Sequence, residues 1–327
     1  MLVPALAELL AAAVVVDVPL RVRFRGVQRR EAVLLRGPAG WGEFAPFVEY
    51  DDREAARWLA AAIEAAWVGF PEPLRDRVPV NATVPAVPAP EVAGVLARFD
   101  GCTTVKVKVA EAGQELADDL DRVAAVRDLA PGARIRVDAN GAWGVDEARD
   151  ALRRLSRYGL EYAEQPCRTV PELAHLRVAL ARAGLDVPIA ADESIRRAQD
   201  PLEVARRHAA DVIVVKVAPL GGVSAALRIV GEVGLPAVVS SAIDTSVGIR
   251  AGIALAAALP QLSHACGLGT IGLFADDVAA PSLAPRAGEL TTAPVQVDAD
   301  ALQRLAAEPG RRSWWSERVR RCYAVLP

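Results

Sequence analysis

Eight short runs of apolar and β-branched residues recur through the chain, and their even spacing restricts the fold more than any other feature. They are VNATVP near residue 82, TVKVKV near 106, RIRVDAN near 136, EYAEQP near 162, PIAADE near 190, VIVVKV near 214, PAVVSS near 238 and LSHACG near 264. Their centres lie about 24 to 30 residues apart, the length of a strand, a helix and two short connections. The intervening segments carry helical periodicity of their own. Leu116, Leu120, Val123 and Leu129 form one apolar stripe, and Val145, Ala148, Leu152 and Leu155 form another. Thr169-Val170-Pro171-Glu172 has capping-box spacing with proline near the first turn, and Asp200-Pro201 marks a second helix start. Gly159, Gly184 and Gly234 fall where helices should stop. The alternation predicts an α/β fold, a TIM-type (β/α) barrel over residues 80–289, with an open doubly wound sheet as the alternative.

Upstream of Val80 the pattern changes. Val18–Arg23 and Glu31–Arg36 read as strands, followed by GWGEFAPF (Gly40 to Phe47) and an Ala-rich helix around Ala55–Trp67, which together predict an α+β domain over residues 1–79. Residues 290–327 add no further barrel unit and are expected to pack back on that first domain as a C-terminal tail completing it. The 327 residues are 52% hydrophobic, ample material for a core. A net charge of −3, spread along the chain, leaves no basic stripe for nucleic acid or an anionic membrane. The apolar opening Met1–Val16 has no basic leader, contains Glu8 and is too short to span a bilayer, so it reads as folded structure, with a signal peptide as the alternative. Cys102, Cys167, Cys266 and Cys322 are too dispersed for a disulfide framework or a zinc site, and a reducing cytoplasm is the expected compartment. Nothing in the sequence specifies an oligomeric state.

Of the 38 basic residues only three are lysine, and all three fall at the ends of predicted barrel strands. An ammonium can be deprotonated where a guanidinium cannot, so lysine is the residue a site needs when a proton must be removed. Strand two ends with Lys106 and Lys108, strand three with Asp138, strand four with Glu164, strand five with Asp192 and strand six with Lys216. Active sites of such barrels lie at this end of the strands. Alternation places both lysines of TVKVKV on the face opposite Val105, Val107 and Val109, and so inside the barrel mouth. Three carboxylates converging there require a cation; all-oxygen ligation points to a hard ion, Mg²⁺, and ammonium groups beside it should have depressed pKa values. Taken singly, each carboxylate also reads as a helix cap or a surface ion pair, Lys216 as a surface residue, and the Lys106/Lys108 pair as protection of an edge strand. The same alternation sends Arg134 and Arg136 inward; Arg134 can lie at the lower rim, but Arg136 needs a partner that the pattern does not supply. His175, His208 and His264 read as structural or surface residues, Gly221-Gly222 as a tight turn, and Ser240 and Ser241 either as contacts for a substrate carboxylate or as helix caps. A Schiff-base aldolase using one lysine as nucleophile is an alternative chemistry that leaves the carboxylates unexplained. A non-catalytic small-molecule binder is another.

The ordered set Lys106-Val107-Lys108, Asp138-Ala139-Asn140, Glu164-Gln165-Pro166, Asp192-Glu193-Ser194 and Lys216 resembles the muconate-lactonizing-type subgroup of the enolase superfamily, over nearly the whole chain. GWGEFAPF is similar to the mobile loop of that family's N-terminal capping domain, which closes over substrate. The resemblance implies a small-molecule carboxylate substrate. Lys108 abstracts its α-proton, Lys106 tunes Lys108, Lys216 is a fixed cation opposite, and Mg²⁺ on Asp138, Glu164 and Asp192 stabilises the enediolate. It further implies substrate contacts at Asn140, Ser240 and Ser241. The short chain, the loop Trp41–Pro46, VNATVP, YAEQP and SSAIDTSVG narrow the implied activity to a syn-dehydratase of menaquinone biosynthesis, with N-acylamino acid racemase or epimerase activity on the same two lysines as the alternative.

Overall fold

The computed structural model describes residues 3–24, 26–196 and 200–326, so Met1 and Leu2 of the apolar opening lie outside the described residues. A short helix, Leu6–Ala11, precedes an antiparallel sheet of three strands in sequence order: β1 (Ala13–Phe24), β2 (Val27–Gly37) and β3 (Gly40–Phe44). A helix over Asp52–Ile63 packs on this sheet. It starts at Asp51, whose carboxylate accepts from Glu54 N at 2.8 Å, as a good N-cap should. Gly42 allows the close approach, since a Cβ there would lie 2.0 Å from the carbonyl oxygen of Ala62. The helix ends in a wider turn, Glu64–Val68, in which Gly69 N reaches back to Glu64 O at 2.9 Å.

The barrel strands follow β4 (Arg77–Pro79), which pairs with the late strand β12 (Glu289–Thr291). They are β5 (Ala82–Val84), β6 (Thr104–Lys108), β7 (Arg134–Asp138), β8 (Leu160–Glu164), β9 (Ile189–Ala191), β10 (Val212–Lys216) and β11 (Ala237–Ser240), hydrogen-bonded as parallel neighbours in sequence order. The eighth predicted strand shrinks to two isolated bridges, yet it closes the cylinder. Cys266 N donates to Pro79 O at 2.7 Å and Asn81 N to Cys266 O at 2.9 Å on one side; Gly267 N donates to Val239 O at 2.8 Å and Ser241 N to Gly267 O at 3.2 Å on the other. The runner-up open sheet is thereby excluded.

Helices Leu116–Leu129, Val145–Leu155, Val170–Arg182, Val223–Val233 and Ser246–Ala258 cover the outside. The capping box at Thr169 and Glu172 forms, and Gly159, Gly184 and Gly234 adopt left-handed φ values of 64°, 68° and 68°. Asp200-Pro201 opens only a four-residue helix, Glu203–Arg206. Strand alternation divides the core in two. Val105, Val107, Ile135, Val137, Ala163, Ile213, Val215 and Val239 join the large outer core beneath the helices, whereas Tyr162, Ala190, Val212, Val214 and Val238 form a separate cluster that fills the barrel.

The helix Pro309–Tyr323 lies against the N-terminal sheet and helix. Arg311 forms a bidentate pair with Glu31 at 2.7 and 2.5 Å, Trp315 Nε1 donates to the same carboxylate at 3.0 Å, and the Trp315 ring meets Phe44 edge-on with centroids 5.8 Å apart. Among the described residues the four cysteines are free, and no helix is long and apolar enough to cross a membrane.

Candidate active site

Parallel register sets the site. Lys108 lies beside Asp138 and Asp138 beside Glu164, so these three residues form one row across β6, β7 and β8. Asp192 stands just beyond β9, and Lys216 closes β10 beside Ser240. All point inward and all are buried: Lys106 and Lys108 are each 7% exposed, Lys216 5%, Asp138 and Glu164 1%, and Asp192 0%.

Such charges remain buried only when paired, and each has a partner. Lys106 Nζ donates to both oxygens of Glu164 at 3.0 and 3.2 Å and lies 3.2 Å from Asp138. Lys108 Nζ donates to Asp138 Oδ2 at 2.6 Å and to Asn140 Oδ1. Lys216 Nζ donates to Asp192 Oδ2 at 2.6 Å, while Arg196 Nε donates to Asp192 Oδ1 at 3.0 Å. Asn140 therefore braces Lys108, and its amide donates to Glu193 at 3.2 Å. Ser241 Oγ donates to Gly267 O at 2.9 Å and pairs with Thr270 at 2.8 Å, and Ser240 Oγ donates to Gly267 O at 3.4 Å, so both serine hydroxyls also serve barrel closure.

Burial alone would raise the Asp138 carboxyl, but Lys108 and Lys106 hold it well below the usual range; Lys216 and Arg196 do the same for Asp192. For Glu164, burial and the charge of Asp138 outweigh Lys106 and push its value up to about 7. Lys106 and Lys216 shift in opposite directions. Burial works against the Lys106 ammonium, yet Glu164 and Asp138 overcome it and raise its pKa, whereas burial draws Lys216 downward. The reason is local: Lys106 faces two carboxylates on neighbouring strands, and Lys216 has one, shared with Arg196.

Residues 15–66 match the enolase N-terminal domain-like family and residues 91–296 the enolase C-terminal domain-like family. The chain is 58% identical over 324 residues to the o-succinylbenzoate synthase of Mycobacterium tuberculosis, covering 99% of this chain and 97% of that protein. It is also 58% identical over 325 residues to the enzyme of that name from Mycolicibacterium smegmatis, covering 99% of each chain. The chain belongs to the o-succinylbenzoate synthase family of the enolase superfamily. It is an enzyme of that family, and its fold aligns with muconate lactonizing enzyme from Pseudomonas fluorescens at a TM-score of 0.76, with 22% identity over 90% of this chain and 98% of that one.

Enzymes of the superfamily use a divalent metal. Among the described residues no three acidic, histidine or cysteine side chains are drawn into one chelating group. Ammonium groups supply the counter-charge here, with Lys106 between Asp138 and Glu164. The donor chemistry nevertheless fits: three buried carboxylates at adjacent strand ends, with no nitrogen or sulfur ligand among them, suit a hard cation.

Arg136, left without a partner by strand alternation, has several. Its Nε donates to Glu161 at 2.5 Å, its Nη1 to Asn81 Oδ1 at 3.1 Å and to Ala265 O at 2.7 Å, and the guanidinium lies 4.7 Å from the Tyr162 ring centroid. A register shift lets Leu160 pair with Ile135 and Tyr162 with Arg136, so Glu161 is bulged and reaches the interior that regular alternation would deny it. Arg134 remains at the rim, 64% exposed in its side chain. His264 bonds Glu161 at 3.2 Å as part of this brace.

Sequence reasoning missed Arg196, Arg30, Glu43 and Asp244. Arg196 lies four residues past Asp192 and ties it to the hydroxyl of Tyr50 at 3.1 Å. Glu43 was visible only as a member of GWGEFAPF. Its contacts lie across 202 positions of sequence, beyond the reach of any local pattern.

Proposed function

We propose that the protein catalyses dehydration of the succinyl-hydroxycyclohexadiene carboxylate precursor to o-succinylbenzoate in menaquinone biosynthesis. The observation that carries this reading is the buried row Lys108, Asp138 and Glu164, faced by Lys216, in a chain 58% identical to o-succinylbenzoate synthases. Residues 1–79 and 290–327 serve as the cap over the catalytic barrel of residues 80–289.

Lys108 Nζ accepts the proton α to the substrate carboxylate. The electron pair left behind is delocalised onto the carboxylate oxygens, and the ammonium of Lys216 faces that charge. Lys108 then returns its proton to the hydroxyl on the same face of the ring; the C–O bond breaks, water leaves and the ring becomes aromatic. Asp138, Glu164 and Asp192 would hold Mg²⁺, which when bound supplies positive charge to the substrate carboxylate. Asp138 links the two tasks, because the side chain that grips Lys108 at 2.6 Å is also a metal ligand in this reading. Lys106, bridging Asp138 and Glu164, fixes the position of both carboxylates.

The placement of lysines on β6 and β10 also suits a second reading, proton exchange between Lys108 and Lys216 in an N-acylamino acid racemase. Incubation in deuterated water separates the two. Aromatic product from the precursor supports dehydration; α-deuterium in N-succinyl amino acids, with an untouched precursor, overturns it.

A further inference from the structure

Two cap carboxylates reach across to the barrel, and each caps the N-terminus of a barrel helix. Glu64 accepts from Val223 N at 2.5 Å and Ser224 N at 3.1 Å, at the start of Val223–Val233. Glu43 on β3 does the same for Ser246–Ala258, accepting from Thr245 N at 3.2 Å, Thr245 Oγ1 at 2.5 Å and Gly248 N at 2.9 Å. The seam around Glu43 is tight. A Cβ on Gly248 would lie 2.6 Å from Asp244 Cβ and 3.0 Å from the Glu43 carboxyl carbon.

Glu43 thus meets a second carboxylate, Asp244, across the seam. Both line one cavity with Lys216, Ser240 and Ala242. Arg30 on β2 is the guanidinium facing the pair: it donates to Ile243 O at 3.0 Å, to Ala242 O at 3.3 Å and to Ala45 O, and lies over the Phe47 ring at 4.5 Å. The other charged or titratable groups are Lys216, which acts on Asp244; Glu49 and Tyr50, which act on Arg30; and Asp277, which accepts from Ser246 N at 3.2 Å at the same helix start. Glu43 is buried and Asp244 partly so; with Lys216 committed to Asp192, one guanidinium faces the two carboxylates, and a retained proton relieves the excess charge. Burial and then Asp244 push the Glu43 carboxyl up to about 8, against the Thr245 hydroxyl, Arg30 and the Gly248 amide, and burial raises Asp244 as well.

We propose that Glu43 and Asp244 are positioning residues for the reaction: holding one proton between them, they latch the cap's GWGEFAPF segment onto residues 242–248, the loop that follows Ser240 and Ser241. The kinetic side of this inference rests on the dehydratase reading; the structural side rests on the contacts alone. In the unlatched state the pair is solvated and Glu43 returns to its ordinary value of 4.5. Latching therefore takes up a proton between pH 4.5 and about 8. The latch is strongest at the acid end, weakens by up to about tenfold per pH unit through that window, and levels off above it.

The test uses the full-length protein, measuring KM and kcat for the precursor from about pH 6 to about pH 9, with hydrogen exchange of residues 242–248 recorded in parallel. In wild type, KM should rise about tenfold or more up to about pH 8 and then level, kcat should change much less, and protection of 242–248 should fall over the same range. Glu43→Gln, an uncharged amide of the same shape, and Asp244→Asn should abolish both slopes, while Glu64→Gln, which alters the other cap contact, should retain them. Comparison with these variants removes the pH effects of all remaining ionisable groups. A level wild-type profile in KM and exchange overturns the proposal, as does a Glu43→Gln variant that keeps the wild-type slopes. If wild type does not turn over the precursor, the dehydratase reading fails, and hydrogen exchange alone decides the latch.

Discussion

The mouth of the barrel and the layer just beneath it are both charged, and they hold their charge in opposite ways. At the mouth, Lys106 and Lys108 are compact ammonium groups whose carboxylate partners lie on the next two strands, β7 and β8. Beside Lys106 in the strand register, and one alternation step below Asp138, Arg136 turns away from the mouth and is fixed by Glu161, Asn81, the Ala265 carbonyl and the Tyr162 ring. A guanidinium spreads its donors over several fixed acceptors and keeps its proton, while an ammonium can change partner or give its proton up. The guanidinium, turned down from the mouth, serves as a brace, whereas the ammonium groups are built for exchange.

The sharpest break of that comparison is Lys108→Arg. The guanidinium keeps the charge opposite Asp138 but cannot serve as a base, so kcat should fall roughly a thousandfold or more while the protein remains folded; turnover assays with calorimetric Mg²⁺ titration check this. Appreciable activity would remove the distinction between the two layers. Asp138→Asn comes next. It leaves two buried ammonium groups short of a carboxylate, so stability should drop by about 3 kcal/mol in denaturant titration, and Mg²⁺ affinity should weaken as well.

In the brace, Arg136→Lys should cost about 2 kcal/mol, because an ammonium cannot reach the acceptors spread around the guanidinium, yet activity should stay within severalfold of wild type. Equal losses of activity at Arg136 and Lys108 would erase the proposed division of labour. The smallest effect is expected at His264, 19% exposed in its side chain and bonded to Glu161 at 3.2 Å; His264→Asn should cost about 0.5 kcal/mol in thermal unfolding.

Much of the mouth was legible because two local signals coincide there. Strand alternation, a period of two, sends Lys106 and Lys108 inward, and the rarity of lysine in an arginine-rich chain singles out Lys216 on a distant strand. The brace was only half legible. Alternation placed Arg136 correctly, but the bulge at Glu161 breaks the period at the very residue that answers it. The eighth strand, too, was visible as a run near His264, though its pairing shrinks to Cys266 and Gly267. The seam was visible only as two separate motifs, GWGEFAPF and SSAIDTSVG, and not as a contact between them. Arg30, Glu43 and Asp244 are ordinary residue types with no unusual spacing, and only the folded chain brings β2 and β3 against residues 242–248.

The buried lysine and carboxylate row is proposed to perform metal-assisted dehydration. The most direct measurement is conversion of the precursor by the purified protein after exhaustive chelation and again after Mg²⁺ is restored. Aromatic product should cease to form on chelation and return with the metal. Turnover that persists without a divalent cation, or that fails to appear with it, would contradict the account.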